Sequence, residues 1–394
     1  MYSWLKLILV IISTSVVVTN SLSATPTKQP LAGQLQRCFT PQDVLSKIGT
    51  QVNPKVDPLG TISSLVLVRI LKQTIALDNG SENWQIDMAS QAKTLSGVVN
   101  SLAQADWKSS SQALDAAVEG TKAASVISRL LPDIPMDTWE PLMSSWNRRA
   151  KTIVSKLQPH HLSGLEWSSA CFQLRDEDWT LPSELQNAYD ALNFPFRINV
   201  GCLQDMDGLS VENLVKQVDF QAEEIRTTSN RVVKERRETA WEGDDHVAPF
   251  AYSGKSMERK PWSTLVRSVR DRLVERTGDY YDGCLLNLYP DGGSGMRYHI
   301  DPDQGTLWGF ETVVVSVGAT RRFAFRNIPG TGDSQAKPHT FVVMQSDVTE
   351  MFADCQERFQ HTVKTADNKN EPTSRSSLVF KKTLESSSRK QSSS

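Results

Sequence analysis

The chain has 394 residues, 39% of them hydrophobic and 22% charged, with a net charge of -2. That length allows two or more domains with buried cores, and the near-balanced charge excludes a global basic field, so any polyanion contact has to come from a local patch. The five cysteines, Cys38, Cys171, Cys202, Cys284 and Cys355, are widely spaced without a Cys-x-x-Cys pair, which argues against a disulfide scaffold or a structural zinc site and for buried free thiols.

Residues 1 to 35 read as a targeting segment. Lys6 precedes a mostly apolar run from Leu7 to Val18, and small polar residues follow from Ser21 to Thr25. The run is short for a bilayer span and has the layout of a cleavable signal peptide. No acidic residue occurs before Asp43. An acid-free, hydroxyl-rich stretch behind a signal-like core suggests an organelle address, plastid or mitochondrion. Secretion, or a nuclear protein whose start site lies further on, are the alternatives. No stable membrane association is expected after cleavage.

Residues 36 to 190 read as a mostly α-helical domain. Leu65 to Leu71, Leu95 to Leu114 and Val126 to Leu131 carry apolar spacings of three and four, and prolines at 132, 135 and 141 punctuate them. The stretch from Leu157 to Leu174 resembles one unit of the helical repeats of organellar RNA-binding proteins, without a clean second copy. The plainer reading is a helical scaffold that does no chemistry.

Residues 191 to 282 are mixed. Arg226, Arg231, Lys234, Arg236 and Arg237 form a basic run, and Trp241, Phe250, Tyr252 and Trp262 follow. The run reads either as a phosphate-binding patch or as a solvated face, and the aromatics either as stacking platforms or as core. Trp262 to Arg276 reads as an amphipathic helix. Residues 283 to 384 are strand-rich: Cys284–Tyr289, Thr312–Val317, Phe323–Phe325, Thr340–Met344 and Ser377–Phe380 are short β-prone runs between turns. The pattern suits a jelly-roll barrel. The Ser-rich residues 385 to 394 read as a disordered tail. The fold class is therefore α+β: a C-terminal double-stranded β-helix with flanking helices, preceded by a helical domain.

The chemistry concentrates in the strand-rich part. His299 and Asp301 stand two apart, so on a strand both side chains leave the same face. A second histidine, His361, lies in an alternating segment, and Arg375 follows. Two imidazoles and one carboxylate form the facial set of a non-haem Fe(II) oxygenase, with the opposite positions open. His339 is the other candidate for the distal ligand. It sits in a polar Lys-Pro-His turn and reads as an exposed loop residue. His160, His161 and His246 have no partner at ligand spacing.

Here a resemblance becomes specific. Residues from about 225 to 383 resemble AlkB-type Fe(II)/2-oxoglutarate dioxygenases, most closely the eukaryotic branch that repairs alkylated DNA. Asn287 and Tyr289 match the family's Asn-x-Tyr motif ahead of His-x-Asp. Ser316 to Arg326 and Gln345 to His361 fit the strands that follow. The resemblance implies Fe(II), 2-oxoglutarate and O2 at the site, with iron on His299, Asp301 and His361. It implies that Asn287, Tyr289 and Arg375 hold the cosubstrate, together with Lys381 and Ser377. Those last two depart from the pattern: Lys381 stands where the family has a second arginine and loses the bidentate fork, and Ser377 replaces a frequent asparagine. The family's nucleotide-recognition lid falls over residues 191 to 282. Trp241, Tyr252, Asp303, Arg322 and Arg326 are the implied substrate contacts. The implied reaction is oxidative demethylation of N-alkylated bases by a monomer, with alkylated DNA ahead of RNA as partner. A 2-oxoglutarate oxygenase acting on RNA, protein or a small molecule is the alternative within the enzyme class. A nucleic-acid-binding protein with a degenerate oxygenase domain is the alternative outside it.

Overall fold

The computed structural model describes residues 31–48, 52–80, 91–222, 224–226, 230–331 and 336–384. Most of the expected targeting segment and the whole Ser-rich tail lie outside the described residues. The chain divides at Arg37. Before that point, the described structure is a short helix, α1 (Leu31–Leu35). From Cys38 onward the protein is one compact unit. No described helix is long and apolar enough to cross a membrane.

The first half of this unit is helical, as the apolar spacing predicts: α2 (Pro41–Ile48), α3 (Thr61–Gly80), α4 (Ala92–Gln104), α5 (Ser111–Leu130), α6 (Glu140–Ile153), α7 (Pro159–Gln173) and α8 (Ser183–Asp190). The starts follow local chemistry. Ser110 caps α5 by accepting the Ala113 N–H. Pro141 and Pro159 sit in the first turns of α6 and α7, where the missing N–H costs no hydrogen bond. α3 packs on α5, and α5 on α7.

The second half carries β1 (Phe196–Asn199), α9 (Val211–Gln217), β2 (Glu224–Arg226), β3 (Val232–Lys234), β4 (Glu238–Gly243), β5 (Phe250–Tyr252), β6 (Lys255–Met257), α10 (Thr264–Thr277), β7 (Gly283–Tyr289), β8 (Trp308–Gly318), β9 (Arg321–Asn327), β10 (His339–Val343), β11 (Val348–Met351), α11 (Cys355–Arg358), β12 (Phe359–Val363) and β13 (Arg375–Thr383). The major sheet runs β1-β11-β8-β13-β7-β4 and the minor sheet β10-β9-β12, with β2-β3 and β5-β6 as separate hairpins. Every named pairing is antiparallel. α10 is the expected amphipathic helix, ended by Gly278 in the left-handed conformation. Its Leu265, Val266, Val269 and Leu273 pack against Leu286, Val315, Leu378 and Phe380 of the major sheet. Truncating Leu273 to alanine there costs about 2–5 kcal/mol. Because side chains alternate along a strand, the opposite face of the same strands is left for the site.

The expected domain boundary near residue 190 is not a structural one. Ser163 of α7 hydrogen-bonds His339 at 2.7 Å, and the ring of Trp167 packs edge-on to Phe341. Asn79 of α3 accepts the Thr320 N–H at 2.9 Å. Arg129 of α5 forms a buried ion pair with Asp347. Groups on both sides are desolvated by the contact, so the helical part is a layer of the same compact unit, not a detachable neighbour. His339 is likewise corrected: it opens β10 and is 5% exposed, because α7 covers the turn that the sequence leaves open. Rings of Phe194, Phe196 and Phe359 surround it.

Candidate active site

The central strand of the major sheet, β13, positions half of the site. It pairs with β7 in the register Arg375↔Tyr289 and Ser377↔Asn287, and with β8 in the register Ser377↔Ser316 and Lys381↔Thr312. Leu378 and Phe380 face α10, so Arg375, Ser377, Val379 and Lys381 face inward. Asn287 and Tyr289 join them by the same alternation.

The other half comes from the edge of the minor sheet. His299 and His361 form an isolated antiparallel bridge, with N–H to O distances of 3.1 and 2.9 Å. The bridge sets their rings side by side, centroids 4.2 Å apart. His299 Nδ1 lies 2.9 Å from the Arg297 carbonyl. A carbonyl only accepts, so Nδ1 carries the proton and Nε2 presents a lone pair. Asp301 is anchored by its N–H to Gln356 Oε1 at 3.0 Å. Its Oδ1 lies 3.5 Å from Nε2 of both His299 and His361. Ligand atoms bound at right angles to one ion at about 2.1 Å are about 3 Å apart, so small closure brings this trio into coordination. One ligand atom from each of the three lies within 4.8 Å of the others.

His361 and Asp301 are both in the protonation state a metal ligand needs. Burial, reinforced by His299, pushes His361 down to about 3, so its imidazole is neutral. Burial alone would raise the Asp301 carboxyl. The Lys381 ammonium and the two histidines instead hold it well below the usual carboxylate range.

Arg375 is fully buried. Its Nη2 donates to Ser316 Oγ and Ser377 Oγ, each at 3.1 Å, while Nε and Nη1 have no partner. Burial lowers it to about 10, opposed by Tyr289. Asn287 Oδ1, on the same face, is also buried without a partner. Orphaned polar atoms of this kind are rare in native interiors, and a buried guanidinium with two free donors fits a carboxylate. The residues present therefore fit a 2-oxoglutarate carboxylate at Arg375 and a divalent ion at the triad. Ser377 serves Arg375 as an acceptor. Lys381, expected at the cosubstrate, donates from Nζ to Asp301 Oδ2 at 2.8 Å. Six residues of strand separate it from Arg375, about 20 Å at about 3.4 Å per residue. It steadies the Asp301 carboxylate, well apart from Arg375.

Residues 204–389 match the family described as the 2OG-Fe(II) oxygenase superfamily. The uncharacterized protein R406 of Acanthamoeba polyphaga mimivirus is 29% identical over 43% of this chain and 84% of its own length. The DNA oxidative demethylase ALKBH2 of Mus musculus is 34% identical over 24% of this chain and 40% of its own length. The human alpha-ketoglutarate-dependent dioxygenase alkB homolog 3 is 35% identical over 24% of this chain and 32% of its own length. Residues 204–389 are thus similar to the 2OG-Fe(II) oxygenase superfamily, and within it to AlkB-type relatives of which the chain spans less than half the length.

Around the oxygenase triad, the implied substrate contacts are distributed differently from expectation. Trp241 is 1% exposed, and its indole donates to the Ala248 carbonyl at 3.0 Å. Its ring lies against Phe250 and Trp308, in room left by Gly283. It is core, with no free face for a base. Tyr252 is half-buried; its hydroxyl donates to Glu235 at 2.8 Å, and Arg237 lies over its ring. Asp303 is exposed at φ 58°, and its carbonyl, not its carboxylate, closes the turn by accepting from Leu307 and Trp308. Arg322 and Arg326 alternate with Phe323 and Phe325 on β9. Phe323 stacks on His361, so both arginines leave the face away from the iron triad. Arg322 makes a two-pronged pair with Asp367, and Arg326 binds Gln360 and covers the Tyr298 ring.

The basic run also divides. Arg237 is buried on Glu235, and Arg236 donates to the Gly293 carbonyl, while the side chain of Arg226 lies outside the described residues. His160 and His161, expected to lack partners, lie with Asp115 in a second cluster. That cluster is structural: His161 Nδ1 accepts the Gln158 N–H at the start of α7, Nε2 meets Asp115, and Lys337 occupies the other Asp115 oxygen. His246 pairs with Asp282.

Sequence reasoning missed Gln356 and the anchoring role of Ser316. Gln356 carries no signal of its own. Ser316 does, as a lone hydroxyl in an otherwise apolar Val-Val-Val-Ser-Val strand.

Proposed function

We propose that the oxygenase region removes N-linked alkyl groups from nucleic-acid bases by oxidative demethylation, with alkylated DNA as the first substrate to test. The observation that carries the reading is Arg375, a buried guanidinium with two free donors on the face that Asp301 and Lys381 share. The similarity to the mouse DNA oxidative demethylase ALKBH2 supports the choice of substrate. When bound, Fe(II) and 2-oxoglutarate supply the oxidising chemistry. The chain's own residues position it. His299, Asp301 and His361 hold the ion on one face, and Gln356 and Lys381 fix the carboxylate. Arg375, Asn287 and Tyr289 receive the cosubstrate. Hydroxylation of a methyl carbon on nitrogen gives a hemiaminal, whose C–N bond breaks to release formaldehyde and the restored base.

The test uses the full chain with Fe(II), 2-oxoglutarate and oligonucleotides carrying 1-methyladenine or 3-methylcytosine. Formaldehyde and succinate in equal amounts are the expected products. A second reading, an oxygenase for a protein or small molecule, is favoured by one observation: Trp241, Arg322 and Arg326 are in the core or engaged away from the iron triad. Turnover on methylated peptides with none on any methylated oligonucleotide would replace the first reading by the second.

A further inference from the structure

Asp347 closes the turn between β10 and β11 and is fully buried. Its Oδ1 accepts from the Gly201 N–H at 2.7 Å and from Arg129 Nη2 at 2.9 Å. Its Oδ2 accepts from the Met344 N–H at 2.8 Å and from Arg129 Nη1 at 3.1 Å. Arg129 stands in the last turn of α5, with its side chain 8% exposed. The helical layer thus reaches the barrel through a two-pronged ion pair that excludes water.

The turn held by this pair grips the end of β8. The Asp347 carbonyl accepts from the Ser316 N–H, and the Ser346 N–H donates to the Ser316 carbonyl, both at 2.9 Å. Gln345 Oε1 accepts the Gly318 N–H at 2.6 Å. Ser316 Oγ is one of the two acceptors that orient Arg375 Nη2, and Gly318 is the register partner of Arg375. A continuous path of hydrogen bonds therefore runs from α5 through the turn to the guanidinium assigned to the cosubstrate.

We propose that Arg129 is a positioning residue for 2-oxoglutarate: it fixes the 345–347 turn, and through Ser316 it holds Arg375 in the pose that receives a carboxylate. The inference rests on the reading of Arg375 as the cosubstrate anchor. Removing Arg129 leaves a buried carboxylate with backbone partners but without its paired guanidinium, an arrangement that drives local rearrangement. A lysine keeps the charge and gives up the fork. The triad is reached by none of these bonds, so metal binding does not depend on Arg129.

The experiment measures 2-oxoglutarate binding by titration calorimetry on the full chain loaded with Mn(II), with Mn(II) affinity and melting temperature recorded beside it. Arg129→Met weakens 2-oxoglutarate binding about tenfold, the scale of one lost charge-assisted contact. Arg129→Lys weakens it less, and neither changes Mn(II) affinity. Arg375→Ala is the control and abolishes 2-oxoglutarate binding. If Arg375→Ala binds normally, the anchor reading falls and the inference with it. If Arg375→Ala fails to bind while folded Arg129→Met and Arg129→Lys bind like the parent, the inference alone is overturned. Equal loss of Mn(II) and 2-oxoglutarate affinity in Arg129→Lys also overturns it, since that is general loosening. Arg129→Lys carries the test if the methionine variant does not fold.

Discussion

His339 and His361 occupy matching places on the two sides of β9. Both are register partners of Phe325, His339 from β10 and His361 from β12. Both are buried, and burial pushes both down to about 3. Their neighbours differ. His361 meets His299 and Asp301 across the bridge at the sheet edge, whereas His339 meets the Ser163 hydroxyl of α7 and a ring of phenylalanines. The sheet makes both sites equally dry, and what crosses its two edges differs: a carboxylate and a second imidazole make a candidate metal site, and a helix makes a packing residue.

The largest effect that tests this contrast is His361→Ala. It is expected to lower metal affinity by more than the roughly 10–100-fold typical of losing a supporting contact. His339→Ala is expected to leave metal affinity unchanged and to cost about 3 kcal/mol of stability through lost packing. Metal titration and urea unfolding on both variants check the pair; metal loss in His339→Ala would erase the distinction. The two cations of β13 extend the comparison. Lys381→Ala removes the ammonium on Asp301 and should weaken metal binding about 10–100-fold, while 2-oxoglutarate binding at saturating metal stays near normal. Calorimetry with each ligand in turn separates these, and the reverse pattern would return Lys381 to the cosubstrate.

The triad and Arg375 were legible in the sequence because strand chemistry leaves a trace at even spacing. His299 and Asp301 are two apart, and Arg375, Ser377 and Lys381 share one parity. Most strands from β7 onward were legible for the same reason, β11 excepted. Parity alone did not say which face looks inward, so Arg322 and Arg326 read as substrate contacts on the barrel rim, although their alternation with Phe323 and Phe325 sends them to the face away from His361. Contacts across long separations left no trace. Arg129 meets Asp347 over 218 positions, and Ser163 meets His339 over 176. That is why the helical part read as a separate domain and His339 as a loop residue. Trp241 was ambiguous for a simpler reason: an indole suits a core and a stacking platform equally well, and only Gly283 beneath it decides.

The smallest effect concerns proton linkage at His339. Its folded value, about 3, lies below the ordinary histidine value of about 6.5 in an unfolded chain. Between those values the unfolded state binds the extra proton, so stability rises with pH. The contribution of the neutral ring is complete above about pH 6.5 and is lost as pH falls toward 3. At pH 5.5 the loss is about 1.4 kcal/mol, one unit of unfolded-state protonation. Metal-free parent and His339→Gln, unfolded in urea at pH 7.5 and 5.5, isolate this term, because His361 and His160 titrate alike in both. The parent should lose about 1.4 kcal/mol more than the variant over that interval. Equal losses would mean that His339 is protonated in the folded protein. Its Ser163 hydroxyl would then be accepting a hydrogen bond from an imidazolium Nδ1–H, and the α7 side of the sheet would not be the dry seat that separates it from His361.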